Sequence, residues 1–269
     1  MSKTAFNVNP SGQRSEEDFG EILATWPHRL DLLESTPSTN SYLLEQSGTL
    51  EHGTLAATKI QSGGRGRFGR PWFSDSESIA FSVCLDAPRE MQHLTLIPVL
   101  AAVAVLNTCS ALGADVRVKW PNDITDTKGR KLCGILTELR TQGGTPRNVI
   151  VGIGLNVNQA QFPPEVAEIA QSLRILTANT TFSCPAVILS IAQELLSGYN
   201  ELLNHNGGAL VDRWKASCAM FGRPYRDRRH DQVFTPLDMA DDGSLVVRNQ
   251  DGTITTISSG EVIEVAHSY

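Results

Sequence analysis

GGRGRFGRPW, residues 63–72, places Gly64, Gly66 and Gly69 at the G-x-G-x-x-G spacing of a dinucleotide-binding turn. Such a turn needs its third glycine at the start of a helix, whose N-terminus takes the pyrophosphate. It also needs an acidic residue about 20 positions on to hold the ribose. Here Arg70, Pro71 and Trp72 follow, and then SIAFSVCLD, 78–86, in which Ile79, Phe81, Val83 and Leu85 recur at the period of a strand. The stretch is therefore a loop between two strands. That excludes the nicotinamide reading and moves the weight from the glycines to the three arginines threaded among them.

The flanking elements predict an α+β fold, a mixed and largely antiparallel sheet with helices against it. HRLDLLES, 28–35, is a strand that leads through a hydroxyl-rich turn into a short helix, with Ser38 or Thr39 as its N-cap and Gly48 as its stop. TLAATKI, 54–60, is a second strand that runs into the arginine loop. LTLIPVLAAVAVLNTCSALG, 94–113, is apolar, but Pro98, Asn107 and Gly113 make it shorter and more polar than a membrane span of about 20 residues. A buried core helix with Pro98 in its first turn is expected instead.

VRVKW is a short strand ending at the turn PND, and KLCGILTELR and NVIVGIGLNVN form a hairpin through TQGGTP. Helices follow over 185–204 and 208–220. Beyond Phe221, short apolar runs separated by DDGS, NQDG and SSG predict a small barrel-like β module. The expected organisation is a flexible tail over 1–27, a catalytic unit over 28–220 and a β module over 221–269.

The 269 residues can bury a substantial core, and a net charge of -6 gives no electrostatic reason to expect a nucleic-acid partner. Five scattered cysteines without a C-x-x-C pair argue against disulfides and zinc. Residues 1–20 lack an apolar segment, so no signal peptide is expected and the cytoplasm is the expected compartment.

Four glycines within 63–69 let the loop approach a ligand closely, while Arg65, Arg67 and Arg70 add fixed positive charge. Such a loop suits a phosphate or carboxylate; a solvated loop and an arginine-glycine nucleic-acid tract are the alternatives. KWPND, 119–123, sets Asn122 and Asp123 in a turn at a strand end, where ligand groups or simply a buried tryptophan above a turn fit equally. Lys131 opens a strand in which Gly134 removes a side chain, and a solvated lysine is the plainer reading. GIGLNVN, 152–158, with Asn156, reads as ligand-lining or as a bulged strand.

In sequence order, STN (38–40), QSGGRGRFGRPW (61–72), KWPND, KLCGIL (131–136), GIGLNVN and SGEV (259–262) resemble the biotin protein ligase family. The resemblance implies a class II synthetase-like catalytic domain followed by a small C-terminal SH3-like β-barrel. It implies biotin and ATP as substrates, Mg²⁺ as cofactor and biotinyl-AMP as intermediate. The final acceptor would be a lysine of the biotin carboxyl carrier protein of acetyl-CoA carboxylase. A weak homodimer is compatible with it, and the few residues before the first strand suggest a monofunctional ligase without a DNA-binding domain.

Position by position, the resemblance assigns biotin to Ser38, Thr39, Asn40, Gln61, Gly64, Arg65, Arg67, Lys131 and Gly134. It assigns ATP to Arg67, Arg70, Trp72, Asn122, Asp123, Lys131 and Asn156, with Lys131 and Arg67 catalytic and Asp123 a ligand of Mg²⁺. Gly63 departs from the family pattern, in which alanine is commoner. Adenylation brings two anions together, so position and positive charge suffice and no protein nucleophile is needed. A lipoate or octanoyl transferase is the neighbouring alternative; a nucleic-acid module, with its steep salt dependence, is the alternative from outside enzymology.

Overall fold

The computed structural model describes residues 16–46 and 49–265. Seven strands form the main sheet: β1 (Leu30–Thr36), β2 (Leu55–Gln61), β3 (Ser78–Asp86), β4 (Val116–Lys119), β5 (Asp123–Asp126), β6 (Lys131–Gln142) and β7 (Thr145–Asn156). Their order is β1-β2-β3-β7-β6-β5-β4. Among the described strand pairs only β1 and β2 run parallel, and the crossover that such a pair needs carries the helix α2 (Thr39–Leu44). The remaining pairs are antiparallel.

Strand parity gives the two faces of this sheet different chemistry. Ile79, Phe81, Val83 and Leu85 of β3 and Val151, Ile153 and Leu155 of β7 belong to the main core. That core also holds α3 (Met91–Ala111) and α5 (Cys184–His205). The alternate positions are small: Ala80 and Ser82 of β3 lie opposite Gly154 and Gly152 of β7, and Gly134 of β6 lies opposite Gly154. Directly paired residues share a face, so these small residues form a shallow trough. At one end a second apolar cluster, Leu43, Leu50, Ala56, Cys84 and Ile150, seats α2 on the sheet.

α1 (Glu16–Leu23), α4 (Leu173–Leu176) and α6 (Gly208–Ala216) complete the helices. The β module is a five-stranded antiparallel sheet of β8 (Tyr225–Asp227), β9 (Gln232–Met239), β10 (Leu245–Asn249), β11 (Ile254–Ile257) and β12 (Val262–Glu264). Its order is β11-β10-β9-β8-β12, and among the described residues its outer strands are not paired into a closed barrel. Its Tyr225, Phe234, Leu245 and Val262 join the main core, where Trp120 bridges the two sheets. The backbone N–H of Trp120 points at Met220 Sδ (3.0 Å), and its indole N–H donates to the Gly243 carbonyl (3.3 Å).

Two expectations need correction, those for Pro98 and Asp123. Of the expected tail, residues 1–15 lie outside the described residues, and Glu16–Leu23 form a helix. Leu23 and Trp26 are buried, and the Trp26 indole donates to the Gly53 carbonyl at 2.8 Å. Pro98 lies inside α3 rather than in its first turn, because Met91 to His93 extend the helix upstream. Asp123 opens β5 rather than lying in a turn, four residues being too short a run to show a period. The expected stop at Gly48 lies outside the described residues.

Candidate functional site

One wall of the trough is the start of α2. Ser38 is its N-cap, with Oγ accepting from the Ser41 N–H at 3.4 Å. Thr39 donates its backbone N–H to Gln61 Oε1 at 3.0 Å, which ties the helix to the end of β2. Asn40 Nδ2 donates to the Leu136 carbonyl (3.1 Å) and to Glu138 Oε2 (2.8 Å), while its Oδ1 accepts from Ser82 Oγ (2.6 Å). The Asn40 amide is thus fully engaged and buried, which makes it a fixed strut between α2, β3 and β6.

The arginine loop folds back on itself as a small hairpin. Trp72 N–H donates to the Gly64 carbonyl (2.8 Å) and Gly66 N–H to the Arg70 carbonyl (2.7 Å). The turn delivers the Trp72 indole onto the trough floor. A Cβ at Gly154 would stand 2.5 Å from Trp72 Cε2, and one at Gly134 would stand 3.4 Å from Cζ3, so the ring lies where both side chains are missing. Trp72 Nε1 is buried there without a hydrogen-bond partner. Lys131 Nζ sits 5.6 Å from the ring centroid and 2.7 Å from Asp123 Oδ1.

Lys131 is held by its backbone on both sides. Its N–H donates to the Ile169 carbonyl (2.6 Å), and its carbonyl accepts from the Gln171 N–H (2.8 Å). Asn156 Nδ2 holds the Gln171 carbonyl at 3.0 Å, and Asn122 Nδ2 holds the Ile135 carbonyl at 2.7 Å. The preceding turn is closed by Asp126, whose Oδ1 accepts the N–H groups of Lys128 (2.9 Å) and Arg130 (2.8 Å). Its Oδ2 accepts from Arg130 Nε (2.7 Å) and Gln171 Nε2 (3.1 Å).

Burial alone would raise the Asp126 carboxyl, but these bonds hold it below the usual carboxylate range. A depressed folded-state pKa stabilises the fold above the unfolded carboxylate range, and that contribution is lost as pH falls through the folded value. Asp126→Asn should therefore lower stability at neutral pH by about 1–3 kcal/mol. Urea unfolding at neutral and acid pH checks this, the gap between the two proteins narrowing in acid.

The positive groups spread from this centre. Arg67 is half-buried, and burial lowers its pKa, with Asp123 opposing and Arg229 adding to the shift. Lys119 is lowered by burial too, with Asp123 and Lys131 as its nearest-acting charges of opposite and like sign. Arg65 instead turns outward to Ser41 Oγ (2.6 Å), and Arg70 pairs with Glu261. Of the predicted residues, Thr39, Gln61, Gly64, Trp72, Gly134, Lys131 and Asp123 thus come together around one trough, while Ser38 caps α2 and Asn40 braces it. Arg65 and Arg70 lie at its margins, and Asn122 and Asn156 act behind it. Burial pushes the thiols of Cys84 and Cys109 up to about 12, so neither is a ready nucleophile.

The chain has known counterparts in sequence and fold. A family model described as biotin/lipoate A/B protein ligase matches residues 32–156. Over 266 residues the chain is 32% identical to the bifunctional ligase/repressor BirA of Bacillus spizizenii, covering 95% of this chain and 80% of that protein. The chain belongs to the biotin/lipoate A/B protein ligase family. It is also 30% identical over 250 residues to the biotin–[acetyl-CoA-carboxylase] ligase of Mycobacterium tuberculosis, covering 88% of this chain and 89% of that one. The fold matches the Aquifex aeolicus biotin protein ligase solved with biotin and ATP, at a TM-score of 0.76 and 23% identity, over 88% of this chain and 98% of that one.

Several residues of this family member escaped sequence reasoning. Ser82 and Glu138 hold Asn40, and nothing local marks them. Gly152 and Gly154 could have been found, since glycines two apart in a strand face the same way. Gly260 and Glu261, which meet Arg67 and Arg70, belong to the SGEV stretch but are remote in sequence from the arginine loop.

Proposed function

We propose that this ligase activates biotin with ATP to give biotinyl-AMP and pyrophosphate, and then passes the biotinyl group to a lysine of a biotin carboxyl carrier domain. The observation that carries this reading is the glycine-floored trough, with hydrogen-bonding groups of Thr39 and Gln61 at one end and Lys131 beside Asp123 at the other. A slender, apolar acid with a polar ring head fits that sequence of surfaces. The Trp72 ring lies over this glycine floor, so it has to leave that position for biotin to occupy it.

In the first step a biotin carboxylate oxygen bonds to the α-phosphorus as the bond to pyrophosphate breaks. Lys131, aimed by Asp123, lies between the two anions and offsets their repulsion. In the second step the carrier amine attacks the carbonyl carbon of the mixed anhydride, AMP leaves, and the amine proton passes to solvent. Mg²⁺ would supply further charge neutralisation at the phosphates. Among the described residues no three ligating side chains gather, which suits an ion carried by the triphosphate and touched by Asp123.

Residues 28–220 would hold the substrates, and 221–269 would act on the loop. The carrier domain, a weak homodimer through a sheet edge and a cytoplasmic setting complete the proposal. Incubating the protein with ATP, Mg²⁺ and either biotin or lipoate, with mass detection of the acyl-adenylate, tests it; a lipoyl product with no biotinyl product would move the chain to the other branch of its family. Arg67→Gly should form the intermediate but retain it poorly, labelling lysines of bystander proteins at least about tenfold more than wild type. Unchanged release in a rapid-filtration assay would refute a retaining role for Arg67.

A further inference from the structure

The tip of the arginine loop ends on the C-terminal sheet. Phe68 takes φ +59 within a 3-10 turn over Arg67–Gly69, which turns its ring outward, 54% exposed. The exposed ring carries two cations. The Arg67 guanidinium lies 5.0 Å from its centroid, and that of Arg229, in the connection from β8 to β9, lies 4.9 Å from it. Arg67 Nη1 also donates to the Gly260 carbonyl (3.1 Å), and Arg70 pairs with Glu261, which has Arg228 Nη1 at 3.4 Å. Residues 67, 68 and 70 each reach connections between strands of the same β module.

Four guanidiniums thus converge on one phenyl ring and one carboxylate. Arg67 and Arg229 repel each other, and the face of Phe68 is what makes their approach tolerable. Such a contact is held by individually weak, solvent-exposed interactions. It closes readily and opens readily, as a loop that admits and releases substrates requires.

We infer that Phe68 and Arg229 form a latch by which the C-terminal sheet sets how long the arginine loop stays closed. They are positioning residues: they touch no reacting atom and act by placing Arg67 and Arg70. The functional half of this inference rests on the proposed reading that the loop covers an acyl-adenylate.

Limited trypsin digestion of the full-length, ligand-free protein tests the latch. Within the loop trypsin cuts after Arg65 and Arg67, whereas the Arg70–Pro71 bond resists it. When loop motion is fast, cutting tracks the open population. Phe68→Ala and Arg229→Ala should each speed these cuts about threefold, the effect expected of an exposed cation–π contact. The double variant should be no faster than either single one, and Phe68→Tyr should restore the wild-type rate. Unchanged rates, multiplied effects in the double variant, or failure of tyrosine to rescue would each overturn the latch.

Both side chains are exposed, so the thermal midpoint should not move, which separates loop opening from unfolding. A second measurement, dissociation of biotinyl-AMP from the same variants, should show about threefold faster release. If wild type makes no biotinyl-AMP while the digestion pattern holds, the latch stands and the proposed reaction falls.

Discussion

Lys131→Ala is expected to lower biotinyl-AMP formation by about 10²–10³, the loss seen when one preorganised donor to developing charge is removed. The side chain is half-buried and its pair with Asp123 contributes little to stability, so the variant should fold and unfold like wild type. Removing it also leaves the Asp123 carboxylate facing the incoming phosphates, which adds repulsion to lost attraction. Lys131→Arg keeps the charge but spreads it over a fork that cannot reproduce the 2.7 Å contact, so it should recover only part of the rate. Biotin-dependent pyrophosphate–ATP exchange measures the first step alone; wild-type exchange by the alanine variant would remove Lys131 from the chemistry.

The second large effect separates two glycines of one strand. Gly152→Ala drives its Cβ into Asn40 Oδ1, and that amide cannot retreat without breaking bonds to Ser82, Leu136 and Glu138. It should cost about 1–3 kcal/mol of stability. The nearest atoms that Gly154→Ala meets all belong to the Trp72 indole, which sits on a loop and can rise. Its stability should be near wild type, but the new methyl stands in the trough and should weaken biotin binding by about tenfold or more. Thermal denaturation and calorimetric biotin titration of both variants check the contrast. Full biotin affinity in Gly154→Ala would mean that biotin does not lie over this floor.

How much of this was legible follows from the range of each signal. The alternation in SIAFSVCLD marked β3 and excluded a helix after the arginine loop, and that exclusion is what the antiparallel sheet bears out. KLCGILTELR and NVIVGIGLNVN declared their hairpin through Gly143 and Gly144, both at positive φ. The same two strands hid the trough, because a missing side chain is informative only once its neighbours across the sheet are known. Gly152 and Gly154 share a face by their spacing, but Gly134 meets Gly154 only through a pairing between strands. β5 and α4 are four residues each, shorter than any period can reveal. The loop's destination was least legible of all: Arg67 meets a carbonyl 193 residues away, and no local pattern encodes such a contact.

The bridge at Trp120 has a consequence for how the protein is made. Synthesis runs from the N-terminus, and the last strands, β8 to β12, emerge after every residue of the trough. Until they arrive, Trp120 lacks its neighbours Gly243 and Gly260, and the core lacks Tyr225, Phe234, Leu245 and Val262. A nascent or prematurely ended chain therefore presents bare apolar surface beside an unanchored arginine loop, a form that chaperones and proteases recognise. A finished core and a fastened loop come with the same stretch of chain, β8 to β12, so a copy that stops before it has neither.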